Sequence, residues 1–187
     1  MAHRALPRGR ELFVVSDGMG SGAGARAESM AAVDLLLSLS AAGYPLDMAL
    51  SCVNYMRPAL EQAESFATMD VLDLDLSSGE ASFVKLGAPP SFVLRGGKVH
   101  TVYGEALPAG IVAEATPAIH RAVLTENDAV ILLTDGTLDA LGRDAVDRIL
   151  VNVGGANTPQ DAAESLLAAA RAVSDGDDMS VMVVRIA

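Results

Sequence analysis

The sequence predicts an α+β sandwich. Three observations carry that expectation. The middle of the chain alternates apolar and polar residues in ATMDVLDLDL and again in ASFVKLGA, with the turn SSGE between them. PSFVLRGGKVHTVYG reads as a strand, a Gly-Gly turn and a second strand, so neighbouring strands pair antiparallel. Alanine- and leucine-rich segments near both ends carry helical spacing, which places helices around a β-rich centre.

In order along the chain, Glu11 to Val15 is short, apolar and β-branched at its end, a strand. From about Ala23 to Ala42 a helix is expected, with Met30, Val33, Leu36 and Leu37 on one face and Gly43 and Pro45 closing it. A second helix is expected to start near Asp47 as N-cap, and Pro58 to end or kink it. The alternating strands and the Gly-Gly hairpin follow. AIHRAVL is a further strand and AVILLTD a fully apolar one. A short helix or turn from Gly136 to Leu141 leads into an amphipathic stretch around Val146 to Val151. A last helix, capped at Thr158 with Pro159 in first position, runs to about Val173, and SVMVVRI closes the chain as a strand.

With 187 residues, 51% of them hydrophobic, the chain can bury about two-thirds of its unfolded surface, which favours one domain over residues 1–187. A net charge of −11 disfavours nucleic acid, because that affinity comes from neutralising phosphates. No apolar run approaches the ~20 residues of a membrane span, and the basic start MAHRALPRGR lacks an apolar signal core. The single cysteine, Cys52, forms no internal disulfide; it is expected to be a buried small hydrophobe in a reducing, cytoplasmic protein.

Three acidic strand ends share one design. FVVSDG ends in Asp17, VILLTDG ends in Asp135, and DGDDMSVMVV leads Asp177 and Asp178 into the final strand. Taken singly, an Asp-Gly pair after a strand is a turn signal. Taken together, on neighbouring strands, the carboxylates would gather and repel one another unless a cation compensates. All the donors are oxygen, which selects a hard ion, Mg²⁺ or Mn²⁺. Gly18 would then let its carbonyl approach the ion, and Gly20 and Gly22 would leave room for a bulky ligand.

SDGMGSG, followed far downstream by TDGTLDAL and DDMSVMVV, resembles the PP2C (PPM) metal-dependent serine/threonine phosphatases, in the branch typified by the stage II sporulation phosphatase. ATMDVLDLDLSSGEASFVKLGAPPSFVLRGGKV and ALPAGI resemble that branch too, so the likeness covers most of the chain. The resemblance implies a four-layer αββα sandwich of two antiparallel sheets flanked by helices, with two ions at one edge. It implies that Asp17 bridges both ions, that Gly18 offers its carbonyl oxygen, and that Asp135 and Asp177 hold the first ion. Asp178 stands where many relatives carry asparagine and is expected behind those ligands. Asp139 is either a water-mediated contact or a helix-start carboxylate.

The implied reaction is hydrolysis of phosphoserine or phosphothreonine by a metal-bridging water, with an anti-anti-sigma factor as the implied substrate. The family carries an earlier strand with another acidic ligand; only sixteen residues precede Asp17, so that strand is expected to be missing from this chain. Ala88 replaces a common aspartate of the family, which argues against a third ion.

Other residues carry less. His3, His100 and His120 lack metal-ligand spacing, Ser16 lacks a histidine-carboxylate partner, and Arg26 and Arg57 are weak candidates for touching substrate phosphate. Thr68 and Asp70 are expected on a strand near the site, in either packing or catalysis. SDGMGSG lacks the lysine of a P-loop. The alternative function is a catalytically weak or inactive PP2C-like regulatory binding module. Residues 25–39 form the helix on which a regulatory domain or partner is expected to act.

Overall fold

The computed structural model describes residues 1–18, 23–56, 67–104, 117–174 and 177–187. Its strands are β1 (Ala2–Leu6), β2 (Arg10–Gly18), β3 (Ala67–Asp75), β4 (Glu80–Leu86), β5 (Ser91–Arg95), β6 (Lys98–Val102), β7 (Ala118–Val123), β8 (Ala129–Leu133) and β9 (Val181–Arg185). Its α-helices are α1 (Ala23–Ala41), α2 (Leu46–Met56), α3 (Asp135–Leu141), α4 (Ala145–Gly154) and α5 (Pro159–Arg171). Every ladder between these strands is antiparallel, in two sheets with helices packed on them, so the fold class is α+β as expected. The chain divides into two compact units.

The first unit comprises Met1–Ala88 and Gly104–Val123. Its sheet has the order β1-β2-β3-β4-β7. Leu12, Val14, Met69, Val71, Val84 and Leu86 project from one face onto Ala32, Val33, Leu36 and Leu37 of α1 and Ala49, Leu50 and Val53 of α2. Met30 is exposed, contrary to expectation, because it stands about a quarter-turn off the buried stripe of α1. Asp47 is not the cap of α2 but lies in its first turn, where a carboxylate favours the helix dipole. Cys52 is half-buried in the same helix, not fully buried.

Two strands differ from their sequence patterns. β1 was not expected at all: AHRAL is short and mostly exposed, and it forms as an edge strand because β2 supplies a partner in the register Ala2↔Val14 to Leu6↔Arg10. The alternation in β3 predicts one polar face, yet Met69 to Leu74 are all buried. Each buried aspartate there has a cation. Arg10 grips Asp73 with two hydrogen bonds, and Lys85 Nζ stands 2.8 Å from Asp70 Oδ2.

The second unit comprises Pro89–Tyr103 and Leu124–Ala187, with the sheet order β6-β5-β8-β9. Gly96 and Gly97 both adopt positive φ, 54° and 72°, as a type I′ hairpin turn requires and as glycine does without strain. β8 is apolar and buried along its whole length, as AVILL predicts. Phe92, Ile131, Leu133 and Val181 meet Leu141 of α3, Ile149 and Val153 of α4, and Ala162, Leu166 and Ala170 of α5. Thr158 caps α5 as expected, accepting a hydrogen bond from the Asp161 N–H at 3.0 Å, with Pro159 at the first helical position. Arg185 at the end of β9 donates to the carbonyls of Val153, Ala156 and Asn157, satisfying the C-terminal end of α4.

Candidate metal centre

In the second unit the register Leu133↔Val181 sets the end of β8 beside the start of β9. Thr134 stitches the two together. Its N–H donates to the Ser180 carbonyl at 3.1 Å, and its hydroxyl accepts from the Ser180 N–H at 3.0 Å. The Thr137 hydroxyl donates to the same Ser180 carbonyl at 3.1 Å. Both threonines are buried, so these bonds are shielded from water.

Asp135 opens α3, and its Oδ1 accepts from the Gly136 N–H at 2.9 Å. Asp177 accepts the Asp178 N–H at 2.8 Å. The two carboxylates are neighbours by way of Gly136: a Cβ on that glycine would stand 3.0 Å from Asp177 Cβ and 2.9 Å from the Asp178 carbonyl oxygen. The close approach is what requires glycine here. Asp135, Asp177, Asp178 and Asp139 are all exposed. Among the described residues, neither Asp135 nor Asp177 has an arginine or lysine ion-pair partner. The donor atoms offered here are carboxylate oxygens, the kind that fits Mg²⁺ or Mn²⁺.

In the first unit Asp17 stands on the second-to-last rung of the β2–β3 ladder, half-buried, directly opposite Thr68. Its N–H donates to Thr68 Oγ1 at 3.2 Å, and the Thr68 hydroxyl lies 3.5 Å from the Asp17 carbonyl oxygen. Ser16 takes a structural role, as its sequence context suggests: the Ser29 hydroxyl of α1 donates to the Ser16 carbonyl at 3.1 Å and lies 3.0 Å from its hydroxyl. Asp17 and Gly18 therefore sit where β2, β3 and α1 are tied together. Among the described residues, no three His, Cys, Asp or Glu side chains group to hold an ion.

Sequence reading missed one polar element. Lys85 is fully buried beside Asp70, which is 1% exposed. Burial pushes the Lys85 ammonium below its ordinary range, and Asp70 opposes that shift. His3 bonds Glu11 at 2.6 Å and stacks on Phe13, while His100 and His120 are exposed on strands. Arg26 is exposed. Gly20, Gly22, Arg57, Pro58 and the segment ALPAGI lie outside the described residues.

The fold is that of the PP2C phosphatases. The PP2C phosphatase domain of SpoIIE from Bacillus subtilis, solved with a fragment of its regulatory domain, superposes with a TM-score of 0.85 at 29% identity, over 99% of this chain and 58% of that one. RsbX in complex with magnesium shares the fold at 17% identity and a TM-score of 0.75, over 99% of this chain and 85% of that one. Residues 7–187 match the family model of stage II sporulation protein E, SpoIIE. The chain belongs to that family. The stage II sporulation protein E of Bacillus subtilis (strain 168) is 31% identical over 179 residues, which is 92% of this chain. The chain spans about a quarter of the length of the curated relatives it matches, 22% and 23%.

Proposed function

We propose that this chain is a Mn²⁺- or Mg²⁺-dependent protein serine/threonine phosphatase. The observation that carries the reading is the seat of Asp135 beside Asp177, held by Thr134 and left open by Gly136. Asp135 and Asp177 would hold a divalent ion; the family resemblance also gives Asp17 and the Gly18 carbonyl as metal ligands, with two ions in all. When bound, such ions neutralise phosphoryl oxygens and make water a nucleophile at neutral pH. The chain's own part is to fix the carboxylates before substrate arrives. Thr134 and Ser180 lock one pair of strand ends, and Thr68 locks the backbone of Asp17.

The substrate class is a phosphoserine or phosphothreonine of a protein; resemblance points to an anti-anti-sigma factor, acted on in the cytoplasm. Among the described residues no helix is long and apolar enough to cross a membrane. A regulatory domain or partner is proposed to act through residues 25–39 of α1, the helix that holds Ser16 through Ser29. The deciding experiment follows phosphate release from a phosphoserine peptide with Mn²⁺, Mg²⁺ or chelator. Wild type should require the ion, and Asp17→Ala and Asp135→Ala should each abolish release. A folded wild-type chain that releases nothing with either ion would instead be the regulatory binding module.

A further inference from the structure

Directly opposed residues in an antiparallel sheet share a face, as do residues two apart on one strand. Asp17 and Thr68 oppose each other across β2 and β3. One row further in, Val15, Asp70 and Lys85 stand abreast across β2, β3 and β4. Asp17, Thr68, Asp70 and Lys85 therefore share the sheet face opposite the one on which Val14, Val71 and Val84 meet the helices. The two rows are separated by about 7 Å, two residues of extended chain.

Lys85 and Asp70 are closed off from solvent, with Nζ and Oδ2 2.8 Å apart. The chain keeps a slot for the lysine stem. A Cβ on Gly104 would come 2.6 Å from Lys85 Cβ and 2.7 Å from Lys85 Cδ. Apolar residues of similar volume commonly stabilise a core as well as a buried ion pair does, so stability alone gives no reason to keep one here. A buried charged pair does enforce one geometry, since any other leaves a charge unsolvated.

We propose that Asp70 and Lys85 are a positioning pair for Asp17. The pair fixes β3 against β4, β3 presents Thr68, and Thr68 holds the Asp17 backbone from both its N–H and its carbonyl side. In this way it sets the affinity of the proposed centre for its divalent ion. The inference rests on the metal-dependent phosphatase reading above.

The test measures Mn²⁺ binding by titration calorimetry, alongside p-nitrophenyl phosphate hydrolysis and thermal melts in chelator. It compares wild type with Thr68→Val and with the double variant Asp70→Asn/Lys85→Met, which removes both charges together. The double variant should raise the Mn²⁺ dissociation constant about tenfold or more, as loss of residues supporting metal ligands does. Its kcat should fall with KM for the substrate unchanged. Thr68→Val should shift binding in the same direction by a smaller factor, with a melt like wild type. Wild-type Mn²⁺ affinity in the folded double variant would overturn the inference and reduce the pair to core filling. If the double variant does not melt cooperatively, Thr68→Val decides, and unchanged affinity there is equally fatal. A wild-type chain that binds Mn²⁺ but hydrolyses nothing ends the phosphatase reading, while the calorimetric comparison still judges this one.

Discussion

Gly136 and Asp177 occupy space that only one side chain can fill: a Cβ on the glycine would lie 3.0 Å from Asp177 Cβ and 3.2 Å from its Cγ. Gly136→Ala must displace the Asp177 segment, since the Asp178 carbonyl, at 2.9 Å, is backbone and cannot swing aside. The expected cost is about 1–3 kcal/mol in urea unfolding, the range for overpacking a tight site. Mn²⁺-dependent phosphate release should fall further than stability does, because the displaced group is a proposed ligand.

Gly104→Ala should likewise destabilise by about 1–3 kcal/mol, because the nearest atoms belong to the base of the Lys85 stem and not to its flexible end. Chemical denaturation of the single variants and of Gly104→Ala/Lys85→Met measures the coupling. Contacting residues of this kind couple by about 0.5–3 kcal/mol, and additive losses would mean that the two do not share the slot.

The Arg95–Asp128 pair gives a pH prediction. Arg95 Nε lies 2.9 Å from Asp128 Oδ1, and the Thr125 N–H donates to Oδ2 at 2.7 Å. Burial pushes the Asp128 carboxyl up, but the Arg95 guanidinium and the Thr125 donors outweigh it and hold the group below its ordinary 3.8. A carboxyl lowered in the folded state contributes fully above 3.8. As pH falls below that, the unfolded chain takes up the proton first and the contribution is lost through the folded value. Asp128→Asn should therefore cost about 1.5–3 kcal/mol near neutral pH and progressively less in acid. Urea titrations at stepped pH should show the two stability curves converging; a constant gap would refute the linkage.

Thr158→Ala should cost about 1 kcal/mol by removing the N-cap of α5, while Thr158→Ser should cost little. Thermal melts distinguish the two.

Local chemistry was legible; partnership was not. Gly96-Gly97 announced its hairpin and Thr158-Pro159 its helix start, because each is decided within a few residues. β1 was hidden because AHRAL carries no strand signal until β2 lies beside it. The burial of Asp70 and Asp73 was hidden for the same reason: their cations, Lys85 and Arg10, come from other strands. At the candidate centre, Asp135 and Asp177 stood out as acidic strand ends. The need for glycine at 136 appears only when the Asp177 backbone arrives.

The ladder from Asp17 to Thr68 has a kinetic consequence. Those two residues are 51 positions apart, whereas β3 with β4 and β5 with β6 close over short turns. Loop-closure entropy must be overcome before so distant a pairing returns any contact energy. The hairpins and helices should therefore assemble early and the β2 rung late, and pulse-labelled hydrogen exchange during refolding would find the Asp17 amide among the last to gain protection. A chain caught midway in folding would already look well structured while Asp17 was still without its place in the sheet.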